Sequence, residues 1–350
     1  MRVMHVMAGA DVGGAENIFL ESVLALADAG FTQMVVTRAN NAHRLAALAA
    51  KGVAVATARF DSFLRLPTDL TLRRAIRRFR PEVIEYWMGR AGTFAPAAQK
   101  ARSIGWYGGY YKASRFANCR HHVGLTRDLV RHIVAEGVPA DHVHLVHTTA
   151  DFPQVDPTPR AAHATPENAP LLLALARLHP KKGLDTLLEA LAGLPDAFLW
   201  IAGEGPIRAE LEALAETLGV ADRVRFLGWR DDRAALLAAC DIVAFPSRYE
   251  PFGTVMVDAW AARRPLVAAA AAGPAAYVED GVNGLLVPVD DGQALRRALT
   301  RVMTDPALRE RLVAGGTATY EASFTTQAFV RDSLALYGRV AAEAGPLAKA

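Results

Sequence analysis

Short apolar runs alternate with stretches of helix-forming residues along nearly the whole chain, and this alternation admits few folds. In the first half, apolar runs at 3–7, 34–37, 53–56, 83–87, 103–106 and 122–125 accompany helical segments at about 14–29 and 43–50. The pattern restarts with runs at 171–174, 198–202, 224–227, 241–245, 266–269 and 284–287, with helical segments at 184–193, 206–218, 232–239 and 254–262 between them. Strands and helices in such succession specify a parallel sheet covered by helices. Between the halves, residues 151–170 carry five prolines and no apolar period, which reads as an interdomain linker. The expected architecture is α/β, with two doubly wound Rossmann-like domains over 1–155 and 156–325 facing a cleft. A C-terminal helix over 326–350 is expected to return to the first domain. Ligands of open α/β sheets bind beyond the carboxyl ends of the strands, so the loops there carry the function.

Bulk properties exclude several classes. With 350 residues, each domain is large enough for its own core, and 52% hydrophobic residues argue against disorder. A net charge of +3 is too small to imply a nucleic-acid partner without a concentrated basic surface. One such concentration lies at 72–80, where Leu72, Ile76 and Phe79 share a helical face ringed by five arginines. Such a helix either rests on an anionic membrane or is a solvated helix that packs its three apolar residues into the fold. The two cysteines, Cys119 and Cys240, are too few for a disulfide framework or a metal site and are expected as reduced core residues. Neither a signal peptide nor an 18-residue apolar run is visible. The expected location is the cytoplasm, with the basic helix allowing peripheral contact with the inner face of the membrane.

The segment from Ser247 to Asp258 is the most telling of the strand-end loops. Pro246 and Pro251 exclude a helix between them, which leaves Glu250 in a loop and starts a helix near Gly253. The free N–H groups and positive dipole end of that helix suit a diphosphate, and Gly253 lets a phosphate come close. Asp258 lies one turn beyond Thr254, where a carboxylate can accept hydrogen bonds from the vicinal hydroxyls of a ribose. The plainer alternative is a surface loop with a Glu and a helix with a solvated Asp. Three other loops fall at strand ends. Gly13 and Gly14 permit close approach of backbone N–H groups to a phosphate, although βα turns need glycine for geometry too. Arg177 and Lys182 offer a forked and a point charge, and Gly203-Glu204-Gly205-Pro206 makes another tight turn.

Taken together, the segments 177–187, 202–206, 226–229 and 250–258 resemble the retaining glycosyltransferases of family 4, which have the GT-B fold. Gly13-Gly14-Ala15-Glu16 and Asn283-Gly284-Leu285-Leu286-Val287 also match. The resemblance implies a glycosyltransferase with a nucleotide-diphosphate sugar as donor, no cofactor and no metal. It implies that Arg177 and Lys182 neutralise the diphosphate, that Glu250 contacts the donor sugar, and that Asp258 holds the ribose where relatives usually have Glu. Gly13 and Gly14, with main-chain groups of Phe252, Gly253 and Thr254, complete the donor site. Four further positions depart from the family pattern. Trp87 and Tyr107 stand in segments where histidine versions are familiar, Arg263 replaces a usual Gly, and Ala276 stands where Glu is common. A second similarity, of 88–91 and 108–112, is to transferases that build bacterial surface polysaccharide or lipopolysaccharide core. It suggests a glycan or lipid-linked acceptor, with Tyr110, Tyr111 and Lys112 lining its site or forming a packed aromatic turn. The rival readings are a non-catalytic sugar-nucleotide or glycan-binding homologue and a GT-B epimerase. A nicotinamide dehydrogenase is disfavoured because the first βα turn lacks a complete G-x-G-x-x-G.

Overall fold

The computed structural model describes residues 1–11, 13–61, 63–147 and 155–346. Its backbone divides into two compact units, one holding the described residues up to 147 together with those from Phe324 onward, the other holding 155–323.

In the first unit, strands β1 (Arg2–Met7), β2 (Thr32–Thr37), β3 (Ala54–Thr57), β4 (Val83–Trp87), β5 (Ser103–Tyr107), β6 (His121–Gly124) and β7 (Val143–Leu145) form one parallel sheet in the order β3-β2-β1-β4-β5-β6-β7. Its helices are α1 (Gly14–Asp28), α2 (Ala42–Ala50), α3 (Arg65–Phe79), α4 (Met88–Gly92) and α5 (Arg127–Ala135). The central strands β1 and β4 are buried on both faces beyond Arg2, as a sheet covered by helices on each side requires, and the polar side chains they bury are paired, His5 Nδ1 lying 3.0 Å from Glu85 Oε2. Ile84, Tyr86, Tyr107 and Phe116 meet in its core. Leu72 and Ala75 of α3 are buried there, with Ile76 and Phe79 packed against them. Packing into the fold, not a membrane, therefore covers the apolar stripe of 72–80.

In the second unit, β8 (Leu171–Leu175), β9 (Phe198–Ala202), β10 (Val224–Gly228), β11 (Ile242–Phe245), β12 (Leu266–Ala269) and β13 (Leu285–Val287) form a parallel sheet in the order β10-β9-β8-β11-β12-β13. The helices are α6 (Leu184–Ala192), α7 (Arg208–Thr217), α8 (Arg233–Ala239), α9 (Thr254–Ala261), α10 (Ala272–Tyr277), α11 (Gly292–Thr304) and α12 (Pro306–Ser323). The last helix of the chain, α13 (Thr326–Ala344), belongs to the first unit, where Tyr337 is buried edge-on to Phe31 and the Arg102 guanidinium donates to the Gly345 carbonyl at 2.7 Å.

The proline-rich stretch needs a correction. Residues 151–154 of the expected linker lie outside the described residues, but 155–170 are fastened to the second unit. Arg160 donates to the carbonyls of Glu167, Ala169 and Ala239 and pairs with Asp241 at 3.0 Å, and the Trp200 indole donates to Thr165 Oγ1 at 2.9 Å. Side-chain hydrogen bonds to backbone carbonyls anchor this stretch in place of an apolar period, which is why it looks like a free connector on paper.

Candidate functional site

The strand order of the second unit reverses between β8 and β11: the chain leaves β8 toward β9 on one side and β11 toward β12 on the other. Loops at such a reversal flank a crevice at the carboxyl edge of the sheet. They carry Arg177 and Lys182 after β8, and Glu250 after β11.

Packing and hydrogen bonds lock these two loops together. The backbone N–H groups of Arg248 and Tyr249 both donate to the Lys181 carbonyl, at 2.9 and 3.2 Å. Gly183 has φ 62°, and a Cβ there would stand 2.2 Å from the Pro246 carbonyl oxygen, so the approach of the loops requires glycine. Arg248 is the clamp. Its guanidinium makes a bidentate pair with Asp185, 2.8 Å on each arm, bonds Asp290 at 2.5 Å and donates to the Pro180 carbonyl at 2.6 Å. Burial pushes the Asp185 carboxyl upward, but the Arg248 bonds outweigh it and hold that carboxyl below its usual range. The sequence gives no sign of this role, because the partners of Arg248 lie 63 and 42 residues away.

On this frame the Lys182 ammonium meets the Glu250 carboxylate at 2.5 Å, with side chains 24% and 16% exposed. Lys181 is engaged elsewhere, over the Tyr249 ring at 4.8 Å. Arg177 is exposed, with no ion pair among the described residues. The Glu250 carbonyl accepts the Gly273 N–H at 2.8 Å, which ties the loop to the start of α10. Lys182 ends a single 3-10 turn, Pro180–Lys182, separated from α6 by Gly183 rather than lying in the helix itself.

Gly253 caps α9 with φ 91°, a conformation that costs other residues energy. A Cβ there would fall 2.7 Å from the Phe245 ring and 3.1 Å from Glu250 Cγ. The space beside its Cα is thus filled by protein, and its backbone conformation and this packing account for the glycine. Thr254 opens the helix, so the first N–H groups have no intrahelical acceptor. Phe252 is buried edge-on to Tyr277, leaving only its main chain for a ligand. Asp258 is 4% exposed, with Arg233 Nη1 3.9 Å from its carboxylate. It is a buried group, not a solvated one. Trp260 holds α9 in place by donating to the Asn283 carbonyl at 2.7 Å, and Gly316 of α12 leaves room for its indole. The Asn283 side chain in turn bonds the Glu279 N–H, the Tyr277 carbonyl and Thr319.

Arg263 has φ 55°. Its N–H bonds the Trp260 carbonyl and the Arg264 N–H bonds the Ala259 carbonyl, the paired bonds of a Schellman ending with Arg263 at the left-handed C′ position. That geometry is why a glycine is usual there. Ala276 is a half-buried member of α10.

In the first unit the reversal lies between β1 and β4. Gly13 caps α1 in an extended conformation, and Gly14 begins the helix; Val12 lies outside the described residues. Glu16 turns back to accept the Ala10 N–H at 2.8 Å, and Arg44 donates to the carbonyls of Ala10 and Asp11 at 2.8 and 3.0 Å. Trp87 stacks on Trp106 with centroids 3.9 Å apart, its indole N–H 3.4 Å from His5 Nδ1. Tyr107 is fully buried with its hydroxyl 3.1 Å from His122 Nδ1, and burial raises its pKa well above the ordinary phenol value. Both are core residues. Tyr110 donates to Asp128 at 2.5 Å and meets His132 edge-on, and the Tyr111 hydroxyl lies 3.5 Å from the Met88 sulfur. These two tyrosines form a half-buried aromatic turn against α5, beside the exposed Lys112. A cavity of about 680 Å³ in this unit, lined by Lys100, Cys119, Glu136 and His142, opens at the amino edge of the sheet, the wrong edge for a ligand site of this fold.

Both cysteines are buried and free, and burial raises their thiol pKa values. Among the described residues no group of three or more His, Cys, Asp or Glu side chains is placed to hold a metal ion. No helix of the described residues is long and apolar enough to cross a membrane.

The family model of the glycosyl transferases group 1 matches residues 155–319. Two lipopolysaccharide core biosynthesis glycosyltransferases of Rhizobium meliloti, LpsE and LpsD, are each 33% identical to this chain. The alignment with LpsE covers 94% of this chain and 96% of LpsE, that with LpsD 97% and 98%. Among solved structures, Anabaena HepE in complex with UDP-glucose superposes with a TM-score of 0.81 at 21% identity, covering 97% of this chain and 100% of HepE. The two doubly wound sheets are those of GT-B glycosyltransferases, and with full-length relatives at this identity the chain belongs to the group 1 glycosyl transferases, enzymes that transfer a sugar from a nucleotide-sugar donor.

Proposed function

We propose that this enzyme transfers a sugar, with retention of configuration, from a UDP-sugar to a hydroxyl of a growing lipopolysaccharide core or a related surface glycan. The observation that carries the donor half is the Lys182–Glu250 pair on the two interlocked loops of the β8/β11 reversal, beside the start of α9. The choice of UDP draws on HepE, whose structure holds UDP-glucose. The choice of acceptor draws on the names of LpsE and LpsD.

In this reading Lys182 and Arg177 stabilise the charge that builds on the diphosphate as the anomeric carbon–oxygen bond breaks, assisted by the N–H groups at Gly253 and Thr254 and by the Gly13-Gly14 turn. Glu250 positions the donor sugar and Asp258 the ribose. The acceptor hydroxyl forms the new bond on the face the diphosphate leaves, and its proton passes to the departing phosphate oxygen. A buried Tyr107 with a raised pKa offers no base, in keeping with this route. Tyr110, Tyr111 and Lys112 are assigned to the acceptor. The test is to incubate the enzyme with a panel of labelled UDP-, GDP- and ADP-sugars and core-truncated lipopolysaccharide, and to read the product anomer by NMR. Transfer from a UDP-sugar into an α-linkage is expected. Nucleotide-sugar binding without transfer to any core acceptor would overturn the proposal.

A further inference from the structure

The loop between β1 and α1 is rich in glycine, yet neighbouring side chains hold its backbone at successive atoms. Asn40 Nδ2 donates to the Gly9 carbonyl at 3.3 Å, Arg44 Nη2 to the Ala10 and Asp11 carbonyls at 2.8 and 3.0 Å, and Asn41 Nδ2 to the Asp11 carbonyl at 2.6 Å. The Ala10 N–H donates to Glu16 Oε1 at 2.8 Å. Three successive carbonyls are thus tied to the start of α2 and the turn before it. Asn41 secures that start in turn, its Oδ1 accepting the Arg44 N–H at 2.7 Å. The Arg44 side chain is buried, and its Nη1 has no hydrogen-bond partner among the described residues. Burial lowers its pKa, and the carboxylates of Glu16 and Asp11 oppose that. A buried cation with one nitrogen unpaired is a poor source of stability, so the residue contributes geometry instead. The two glycines that follow the held carbonyls differ from each other. A Cβ on Gly13 would stand 2.4 Å from Glu16 Oε2, so Gly13 makes room for the carboxylate that holds Ala10. A Cβ on Gly14 would meet no described atom within 4 Å beyond its chain neighbours and its own helix, and its φ is not positive. Neither packing nor backbone conformation calls for glycine at 14, and the open space there admits a group from outside the chain.

We infer that Arg44 is a positioning residue for the donor: by holding the Ala10 and Asp11 carbonyls it fixes the loop that ends in the Gly13-Gly14 turn, without itself touching the substrate. Two physical effects make this useful. A glycine-rich loop that ordered itself only on binding would lose donor affinity to its own backbone entropy. A carbonyl oxygen turned toward a diphosphate would also repel it, and here the oxygens of residues 9, 10 and 11 are all engaged by side chains. Arg44 suits the task because one nitrogen of its planar fork reaches both carbonyls while its aliphatic stem packs in the interior. The inference rests on the reading that the Gly13-Gly14 turn attends the donor diphosphate.

The test uses the full chain and UDP as the probe. Arg44→Met keeps the bulk of the side chain and loses both bonds, and should weaken UDP binding in isothermal titration about tenfold through lost preorganisation. Asn41→Ala should act in the same direction, by about threefold. In turnover, Arg44→Met should raise the KM for the UDP-sugar by a similar factor while the acceptor KM stays within about twofold. Tyr107→Phe loosens the core of the same unit and should leave UDP affinity unchanged, which separates positioning from general destabilisation. In Arg44→Ala, millimolar guanidinium chloride should restore part of the UDP affinity, and millimolar potassium chloride should not. Hydrogen exchange reads the loop directly: UDP should slow exchange across residues 8–17 of the parent, and Arg44→Met should exchange faster there without UDP. If UDP leaves exchange at 8–17 of the parent unchanged, the turn does not meet the diphosphate and the inference falls with the reading beneath it. If UDP does protect the parent, then unchanged UDP affinity in Arg44→Met, or a loss that Tyr107→Phe shares and guanidinium does not restore, would overturn the role of Arg44 alone.

Discussion

The Lys182–Glu250 pair makes opposite predictions for its two members. Before donor binds, the ammonium is neutralised by Glu250 at 2.5 Å; a diphosphate must share or take over that cation. Lys182→Ala removes the cation and leaves a carboxylate facing the site, so it should weaken UDP binding both by lost attraction and by new repulsion. Truncating one member of a buried charge pair costs about 2 to 5 kcal/mol. With side chains 24% and 16% exposed, solvent screening places this case near the lower bound, about 2 kcal/mol, or roughly a 30-fold rise in Kd. Glu250→Gln frees the ammonium and should leave UDP affinity unchanged or a few-fold tighter, while transfer from the UDP-sugar falls. The double variant K182A/E250Q should then bind UDP better than Lys182→Ala alone, a coupling of about 1 kcal/mol in a double-mutant cycle. Isothermal titration with UDP and with uridine measures all four proteins, and uridine affinity should hardly change across the series. A Lys182→Ala protein within twofold of the parent for UDP, or Glu250→Gln that weakens UDP as strongly as Lys182→Ala, would refute the assignment of the cation to the diphosphate.

Other expectations follow from single residues. Tyr107→Phe removes the bond to His122 inside the core, so it should cost about 1 to 3 kcal/mol of stability in urea unfolding while kcat of the folded enzyme stays within a few-fold. Arg263→Gly should leave the thermal midpoint unchanged or raise it, because the left-handed φ of 55° strains any side chain; Arg263→Val should lower it clearly. Burial lowers the His122 pKa to about 4, so the folded state stays neutral there while the unfolded chain takes up a proton below about 6.5. Stability should therefore fall as pH drops from 7 to 5, by about 2 kcal/mol for this group, measured as a difference in urea midpoint that shrinks in His122→Asn. Treatment with EDTA should leave transfer intact, and a strict requirement for Mg²⁺ or Mn²⁺ in the dialysed enzyme would contradict that.

The parts of this fold that were legible beforehand are those written in local periodicity. Continuous apolar runs such as Leu171–Leu175 read as strands covered on both faces, and α13 begins at Thr326 as its spacing indicates, though it ends at Ala344 before Gly345 and not at 350. Strand β7 and the helices α4, α5, α10, α11 and α12, by contrast, have no place in the sequence-derived plan: β7, α4, α5 and α10 are too short or too polar to show a clear period, and α11 and α12 follow β13, where the alternation with strands ends. The same limit governs the site. Glu250, Lys182 and Gly253 are visible because prolines and glycines punctuate their loops, whereas Arg248 pairs with residues 63 and 42 positions away, and long-range ion pairs leave no periodic trace. Trp87 and Tyr107 look like altered catalytic positions on paper, yet each sits on a strand of a sheet covered on both faces, where an inward side chain is packing by necessity. Motif spacing states which loop a residue belongs to; burial decides whether its side chain reaches a ligand. For Asp258 the two bear on different things, because its place after Thr254 points to a ribose while its 4% exposure and the nearby Arg233 describe a group already embedded in protein. An Asp258→Asn variant that keeps UDP affinity but loses thermal stability would assign that carboxylate to the frame of α9 rather than to the donor.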